Sequence, residues 1–172
     1  MLRIVHKLND LRFSELMQVY AETNAVNGKE MYPAHTPFEQ LREVELDFYT
    51  YLQTVFFCQE NSFYAIWEAE GRYLSALRIE PYADGLLLCG LETVPIARQQ
   101  GYAYKLIIAV INYLAKRGSV TIYSHVSKQN SASLNTHVKC GFSIIKDHAV
   151  YSDGSVLHSS YTLAYEYKKS ET

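Results

Sequence analysis

The chain has 172 residues, of which 48% are hydrophobic and 20% charged, an ordinary globular balance that excludes an intrinsically disordered protein. The formal net charge is −2 and no lysine- or arginine-rich run occurs, which argues against a nucleic-acid partner. No window approaches the roughly 20 apolar residues of a membrane span, and the N-terminus lacks a signal-peptide pattern. We therefore expect a single cytoplasmic domain over residues 1–172, with no membrane association.

The N-terminal part predicts one strand and two helices. Residues 2–8 have the pattern of a strand, and residues 10–25 show nearly helical spacing of apolar residues. Gly28 and Pro33 then interrupt that spacing, which predicts a loop. A second helix over 36–57 is predicted from a capping box with proline at the first helical position.

After residue 61 the pattern changes to three short apolar runs separated by turns, which predict successive antiparallel strands. The third run, 86–94, is almost continuously apolar, as expected for a strand buried on both faces. A helix over 102–118 and a strand over 120–126 follow. This strand–helix–strand order is that of a crossover, so strands 86–94 and 120–126 are predicted to be parallel.

The remaining sequence predicts a short helix over 131–140 and two closing strands that flank a turn at 152–155. Together the elements predict an α+β fold with a mixed, mostly antiparallel sheet of six to seven strands and about four helices. Cys58, Cys89 and Cys140 lie in apolar stretches and are predicted to be reduced core residues. His137 and Cys140 have the spacing of half a zinc site, but nothing completes it, so no metal is predicted.

The turn between strand 86–94 and helix 102–118 stands out chemically. The free N–H groups of a helix start carry the positive end of the helix dipole, and Arg98 adds a charge. Gly101 removes a side chain that would block close approach, and no acidic residue lies in the first helical turn. Such a turn suits an anion such as a phosphate group. The alternative is an ordinary strand-to-helix turn without a ligand. The turn has neither the P-loop pattern of ATP-binding proteins nor the glycine pattern of NAD-binding proteins, so neither nucleotide is favoured.

Arg98-Gln99-Gln100-Gly101-Tyr102-Ala103 resembles the pyrophosphate loop of the GNAT superfamily of acetyl-CoA-dependent N-acetyltransferases. A second segment, with Asn130, Ser133, His137, Lys139 and Gly141-Phe142, resembles another motif of that family, and the order of elements agrees along almost the whole chain. The resemblance implies an α/β/α layered GNAT-like fold. It also implies that the backbone of residues 99–103 holds the pyrophosphate of acetyl-CoA, and that the pantetheine arm runs beside the preceding strand, which diverges from its parallel neighbour. The implied cofactor-binding residues are Glu92, Thr93, Val94, Arg98, Gln99, Gln100, Gly101, Tyr102, Ala103, Asn130, Ser133 and His137.

The activity implied is transfer of an acetyl group from acetyl-CoA to a primary amine by direct attack. Glu92, a carboxylate in an apolar strand, is the candidate base, and the alternative is a solvated carboxylate or one paired with Arg98. Glu68 and Glu80 are weaker candidates. His137 is the candidate acid where many family members have tyrosine, and the alternative is a histidine that packs beside the cofactor arm.

The resemblance places the acceptor between the first two helices and the last hairpin. Possible wall residues are Tyr20, Tyr32, His35, Phe38 and Tyr151. Small amines, amino acids, antibiotics and protein N-termini all fit this description, and the sequence is compatible with a monomer or a homodimer. Two other functions compete with the enzyme: a catalytically silent acyl-CoA-binding sensor with the same fold, and an unrelated α+β protein whose turn only resembles the family's.

Overall fold

The computed structural model describes residues 1–168. Within these residues there are nine strands: β1 Leu2–Val5, β2 Phe63–Ala69, β3 Arg72–Tyr82, β4 Gly85–Thr93, β5 Val120–Ser127, β6 Ser143–Lys146, β7 Ala149–Val150, β8 Val156–Leu157 and β9 Ser160–Tyr167. The same part of the chain has five α-helices: α1 Phe13–Val19, α2 Ala21–Met31, α3 Pro37–Thr54, α4 Tyr102–Ala115 and α5 Ser131–Lys139. Seven strands form one sheet in the order β1-β2-β3-β4-β5-β9-β6, and β7 pairs with β8. The predicted α+β fold is confirmed.

β4 and β5 form the only parallel pair in the sheet of residues 1–168, as the crossover predicts. Their pairing covers only three positions, from Leu86 opposite Ile122 to Leu88 opposite Ser124. Beyond Leu88 the two strands no longer pair, and β4 contains a bulge relative to β3 where Gly90 has a φ of +60°. The sheet therefore opens at its centre, next to the start of α4.

The two faces of the sheet carry separate cores. Alternate residues of β2 point to opposite faces, so that Phe63 and Ala65 pack with α4, and Tyr64 and Ile66 pack with α1 and α3. Residues that α4 buries on its face are Leu106, Ile107, Val110, Ile111 and Leu114. This two-sided packing holds the centre of the sheet between two helical layers.

The N-terminal helical region differs from the prediction. The predicted single helix and following loop are instead two helices that meet at Tyr20, and α2 continues through Gly28 to Met31. The reason is tertiary packing, because a Cβ at Gly28 would lie only 3.0 Å from Cβ of Gln40 on α3. Glycine, read from the sequence as a helix breaker, allows two helices to approach closely here. The capping box of α3 at Thr36 is confirmed.

Three other predictions need correction. β4 is not buried on both faces: only Leu88 and Thr93 are buried, because open spaces border the strand at Leu86 and from Cys89 to Glu92. Cys58 is exposed rather than in the core, whereas Cys140 is buried, and all three cysteines are unpaired. The turn at 152–155 is flanked by the short β7 and β8, which form their own pair rather than extend the main sheet.

No helix within residues 1–168 combines the length and hydrophobicity needed to cross a membrane.

Candidate active site

The turn that precedes α4 has free backbone N–H groups. α4 begins at Tyr102, its N-cap Gly101 has a φ of +77° and no side chain caps the helix. Gln99 also has a positive φ, of 61°, and no acidic residue lies in the first turn. No heavy atom of residues 1–168 other than chain neighbours lies within 4 Å of a Cβ built at Gly101. The turn is thus open and electropositive, which fits the diphosphate of a bound acyl-CoA.

Arg98 is held at the edge of this turn. Its Nε donates to the carbonyl oxygen of Thr93 over 3.1 Å, and its Nη2 lies 2.7 Å from Oε2 of Glu22 on α2. The partner of Arg98 is therefore Glu22, not Glu92 as the sequence allowed. Both side chains of this ion pair are well exposed, so it contributes little to stability.

A groove of about 180 Å³ lies where β4 and β5 separate. Asn130, Ser133 and His137 all line it, as their spacing on one helical face predicts. Asn130 also has a local structural role, because its Oδ1 accepts a hydrogen bond from the Ser133 backbone N–H over 3.0 Å and caps α5. The other lining residues are Leu88, Cys89, Gly90, Leu91, Ser124, His125, Val126 and Ser127.

His137 is almost fully buried, with 1% of its surface exposed. Its Nδ1 lies 2.8 Å from the carbonyl oxygen of Ser133, so Nδ1 carries the proton and donates it. Nε2, 3.0 Å from Oγ of Ser124, is then the acceptor for that hydroxyl. Burial lowers the pKa of His137, although the hydrogen bond to Ser133 opposes the shift. The neutral ring therefore has no proton on Nε2 to give away.

A second cavity, of about 350 Å³, lies on the other side of β4, between that strand and helices α2 and α3. Its wall is mainly aromatic and apolar, and three charged side chains reach it: Asp47, Arg78 and Glu92. Gly90 lines both this cavity and the groove. The two spaces therefore border the same residue, at the bulge of β4. The remaining lining residues are Tyr20, Thr23, Asn24, Asn27, Met31, Val44, Phe48, Tyr51 and Tyr64.

Glu92 lies in the wall of this cavity. It is half-buried on β4, and its Oε1 accepts a hydrogen bond from the Thr23 hydroxyl over 2.6 Å. The weaker candidates lie elsewhere or are engaged by other groups. Glu68 pairs with Arg12 over 3.0 Å, and Glu80 pairs with Arg78 over 3.6 Å.

The predicted acceptor-wall residues are placed unevenly. Tyr20 lines the cavity, and its hydroxyl donates to the carbonyl oxygen of Gly90 over 2.6 Å. Tyr32 donates a hydrogen bond to Asp47, which lines the cavity, and His35 packs on the Tyr32 ring. The structure does not bring the other two to the cavity: Phe38 is 77% exposed, and Tyr151 packs against His125.

A family model, described as the acetyltransferase (GNAT) family, matches residues 28–142. The chain belongs to the GNAT acetyltransferase family. The expected activity class, an acetyl-CoA-dependent N-acetyltransferase, is that of the family, and the open turn before α4 fits its acyl donor. No curated protein sequence gives a significant match.

Solved GNAT structures share the fold at low sequence identity. A PaiA N-acetyltransferase from Thermoplasma acidophilum in complex with coenzyme A aligns with a TM-score of 0.64 and 14% identity, over 97% of this chain and 99% of that one. The ribosomal-protein-S18-alanine N-acetyltransferase from Escherichia coli gives 0.64 and 17%, over 99% and 97%. An aminoglycoside 6′-acetyltransferase type Ii gives 0.63 and 14%, over 96% of each chain. These similarities show that the GNAT fold extends over at least 96% of this chain.

Several residues that line the candidate site were not predicted from the sequence. Arg78 and Asp47 in the cavity, and Ser124 and His125 in the groove, belong to no motif. The sequence does contain one indication of Arg78, because a basic residue is unusual in the mostly apolar strand run "SALRI".

Within residues 1–168, no group of three or more His, Cys, Asp or Glu side chains is arranged to hold a metal ion.

Proposed function

We propose that the protein moves the acetyl group of acetyl-CoA to a primary amine by direct attack, with Glu92 as the base. One observation carries this proposal: the cavity that contains Glu92 and the groove between β4 and β5 are both lined by Gly90, at the bulge of β4. An amine in the cavity and a thioester in the groove would approach each other at that point. Holding two reactants in contact is itself a large part of catalysis.

Each step places a demand on the protein. An alkylamine with a pKa near ~10.4 is protonated at neutral pH, so Glu92 takes its proton. The amine nitrogen then bonds to the thioester carbonyl carbon, and backbone N–H groups of β4 stabilise the oxyanion. The carbon–sulfur bond then breaks, and the nitrogen gives up its second proton, which the departing thiolate takes up. The products are an N-acetylated amine and CoA, and the proton on Glu92 is released to solvent.

The cofactor-binding residues follow from the same placement. We propose that the backbone N–H groups of residues 99–103 and the Arg98 side chain hold the pyrophosphate. Residues 92–94 would lie beside the pantetheine arm, and Asn130, Ser133 and His137 would line its other side. The support is that residues 99–103 form the open turn, that Asn130, Ser133 and His137 line the groove, and that residues 92–94 directly follow the part of β4 that lines it.

We also propose a cytoplasmic location, which suits the three unpaired cysteines and an acyl-CoA donor. The single domain over residues 1–172 and the choice between monomer and homodimer stay predictions.

Acetyl-CoA is expected to raise the melting temperature, because a ligand at 100 times its Kd adds about 2.7 kcal/mol to the free energy of unfolding. Thermal denaturation with and without acetyl-CoA measures this shift, with free adenine as a control that lacks the diphosphate. CoA release with a panel of amines then separates an enzyme from the silent sensor. Binding without CoA release from any amine would favour the sensor, and no binding at all would contradict cofactor use.

The role of His137 can be decided with two substitutions. The Nδ1 hydrogen bond to Ser133 and the lowered pKa support a packing role beside the cofactor arm over proton donation. We therefore expect His137→Phe and His137→Tyr to have matching pH–rate profiles, with the defect in acetyl-CoA affinity rather than in kcat. If His137→Tyr instead recovers kcat and extends activity to higher pH, the imidazole is an acid, because a phenol near ~10 keeps its proton there.

A further inference from the structure

We infer that the amine acceptor is a free α-amino acid with an apolar side chain, and that Arg78 binds its α-carboxylate. This inference rests on the proposed function and narrows its acceptor. Four features of the cavity lead to it: an incompletely paired cation in the wall, the neutral side chains around that cation, its distance from the bulge at Gly90, and the apolar lining of the remaining space.

Arg78 lies on β3 with its side chain 21% exposed, and it lines the cavity. Its Nε is buried, and no protein atom in residues 1–168 accepts a hydrogen bond from it. The nearest carboxylate, Glu80, is 3.6 Å from Nε, beyond good hydrogen-bond distance, and it does not line the cavity. A buried charged donor without an acceptor is unfavourable, and a planar guanidinium suits a carboxylate best.

The guanidinium is held in place by aromatic rings. Its central carbon is 5.6 Å from the ring centre of Phe48 and 5.4 Å from that of Tyr51. Two polar groups near Arg78 stay neutral, since burial raises the pKa of Tyr51 to about 12 and that of Cys89 to about 12. Arg78 is therefore the one cation among the described residues that line the cavity. Its nearest carboxylate, Glu80, does not line the cavity, and within residues 1–168 neither Asp47 nor Glu92 forms an ion pair with it.

Arg78 also lies next to the proposed reaction centre. A Cβ built at Gly90 would be 3.4 Å from Nε of Arg78 and 3.7 Å from Nη2. In an α-amino acid only two bonds separate the carboxylate carbon from the amine nitrogen. A carboxylate on Arg78 thus leaves the amine beside the bulge at Gly90, in the same cavity as Glu92. The carboxylate would orient the amine as well as add affinity.

The rest of the cavity suits an apolar side chain. Met31, Val44 and Phe48 line it, and its volume of about 350 Å³ accommodates one amino acid. A polyamine could place its charges near Asp47 and Glu92, but it would offer no anion to Arg78. A peptide N-terminus has an amide where a free amino acid has its carboxylate, so it too would offer no anion to the guanidinium.

The first test uses the wild-type protein and matched acceptors. CoA release from acetyl-CoA is measured with L-phenylalanine, L-phenylalaninamide and phenethylamine, then with leucine, leucinamide and isopentylamine, with rates expressed per neutral amine. We expect kcat/KM to be about 10²-fold or more higher for the amino acids, because only they offer a carboxylate to Arg78. Spermidine serves as the polyamine control and is expected to be a poor acceptor.

A binding measurement and two variants complete the test. In the presence of CoA, N-acetyl-L-phenylalanine should raise the melting temperature more than its amide. Arg78→Gln should bring the ratio of kcat/KM for the amino acid to kcat/KM for its amide close to one. Arg78→Lys should give an intermediate ratio, because lysine keeps the charge but lacks the planar guanidinium that can bind both carboxylate oxygens. Arg42→Gln, which removes an exposed arginine of α3, should leave the ratio unchanged.

The outcomes separate this inference from the proposed function. Equal or faster acetylation of the amides and simple amines would overturn the role of Arg78 and leave amine acetylation established. Acetyl-CoA binding without CoA release from any amino acid, amide or amine would overturn both. If Arg78→Gln fails to fold, the comparison of acceptors with the wild-type protein still decides the matter.

Discussion

Glu92→Gln is expected to lower kcat by about 10²-fold or more at neutral pH while acetyl-CoA affinity holds. Glutamine keeps the shape of the side chain, and its carbonyl oxygen can still accept the hydrogen bond that Thr23 donates to Oε1 over 2.6 Å. It cannot take a proton from the acceptor. The loss should shrink as the pH rises toward the amine pKa of ~10.4, where the amine deprotonates unaided. Steady-state kinetics over this range, with acetyl-CoA affinity measured separately, provide the test.

Glu43→Gln is the matched control for this substitution. Glu43 is also half-buried, but it lies on α3 and does not line the cavity. Its loss should leave kcat nearly unchanged. If Glu92→Gln loses the same factor at every pH, the carboxylate has a structural role, and another group or a water chain removes the proton.

Gly101→Gln is expected to abolish the thermal shift caused by acetyl-CoA while the protein still folds. No protein atom obstructs a side chain at this position, so the apo protein suffers mainly from the φ of +77°. That conformation costs a residue with a Cβ about 1–2 kcal/mol. The added side chain would, however, occupy the space in front of the free N–H groups of α4. The shift lost corresponds to about 2.7 kcal/mol for a ligand at 100 times its Kd.

Gly71→Gln separates backbone strain from lost binding. Gly71 has a nearly identical φ of +74°, also has no atom within 4 Å of a built Cβ, and lies in the turn between β2 and β3. Both variants should lose similar stability without ligand, and only Gly101→Gln should lose the response to acetyl-CoA. An undiminished response in Gly101→Gln would show that the diphosphate binds elsewhere.

The family and the acyl donor could be predicted from the sequence because their signals are local. An arginine, a glycine and a helix start lie within five residues from Arg98 to Tyr102, so the chemistry of the turn depends on backbone geometry that short sequence patterns specify. The capping box at Thr36 is local in the same way. The parallel pairing of β4 and β5 followed from chain order, since a single helix connects them.

Other features depended on contacts between distant segments. Gly28 reads as a helix breaker, but it lies inside α2 because Gln40 packs against it. The apolar run of β4 reads as fully buried, but the strand borders two open spaces because β5 leaves it after Leu88. His137 has the spacing of a site residue, but its proton position is set by the Ser133 carbonyl and by Ser124 on another element.

The sequence by itself therefore determined the fold class, the GNAT family and the turn that fits acetyl-CoA, since these follow from local sequence patterns and from the order of those patterns along the chain. Only the tertiary structure decided where an acceptor can bind. Arg78, Asp47 and Glu92 come from β3, α3 and β4, and they share one cavity only after the sheet and helices pack. The charge that the cavity presents depends on desolvation and on the distances between these groups, and these arise only when the chain folds.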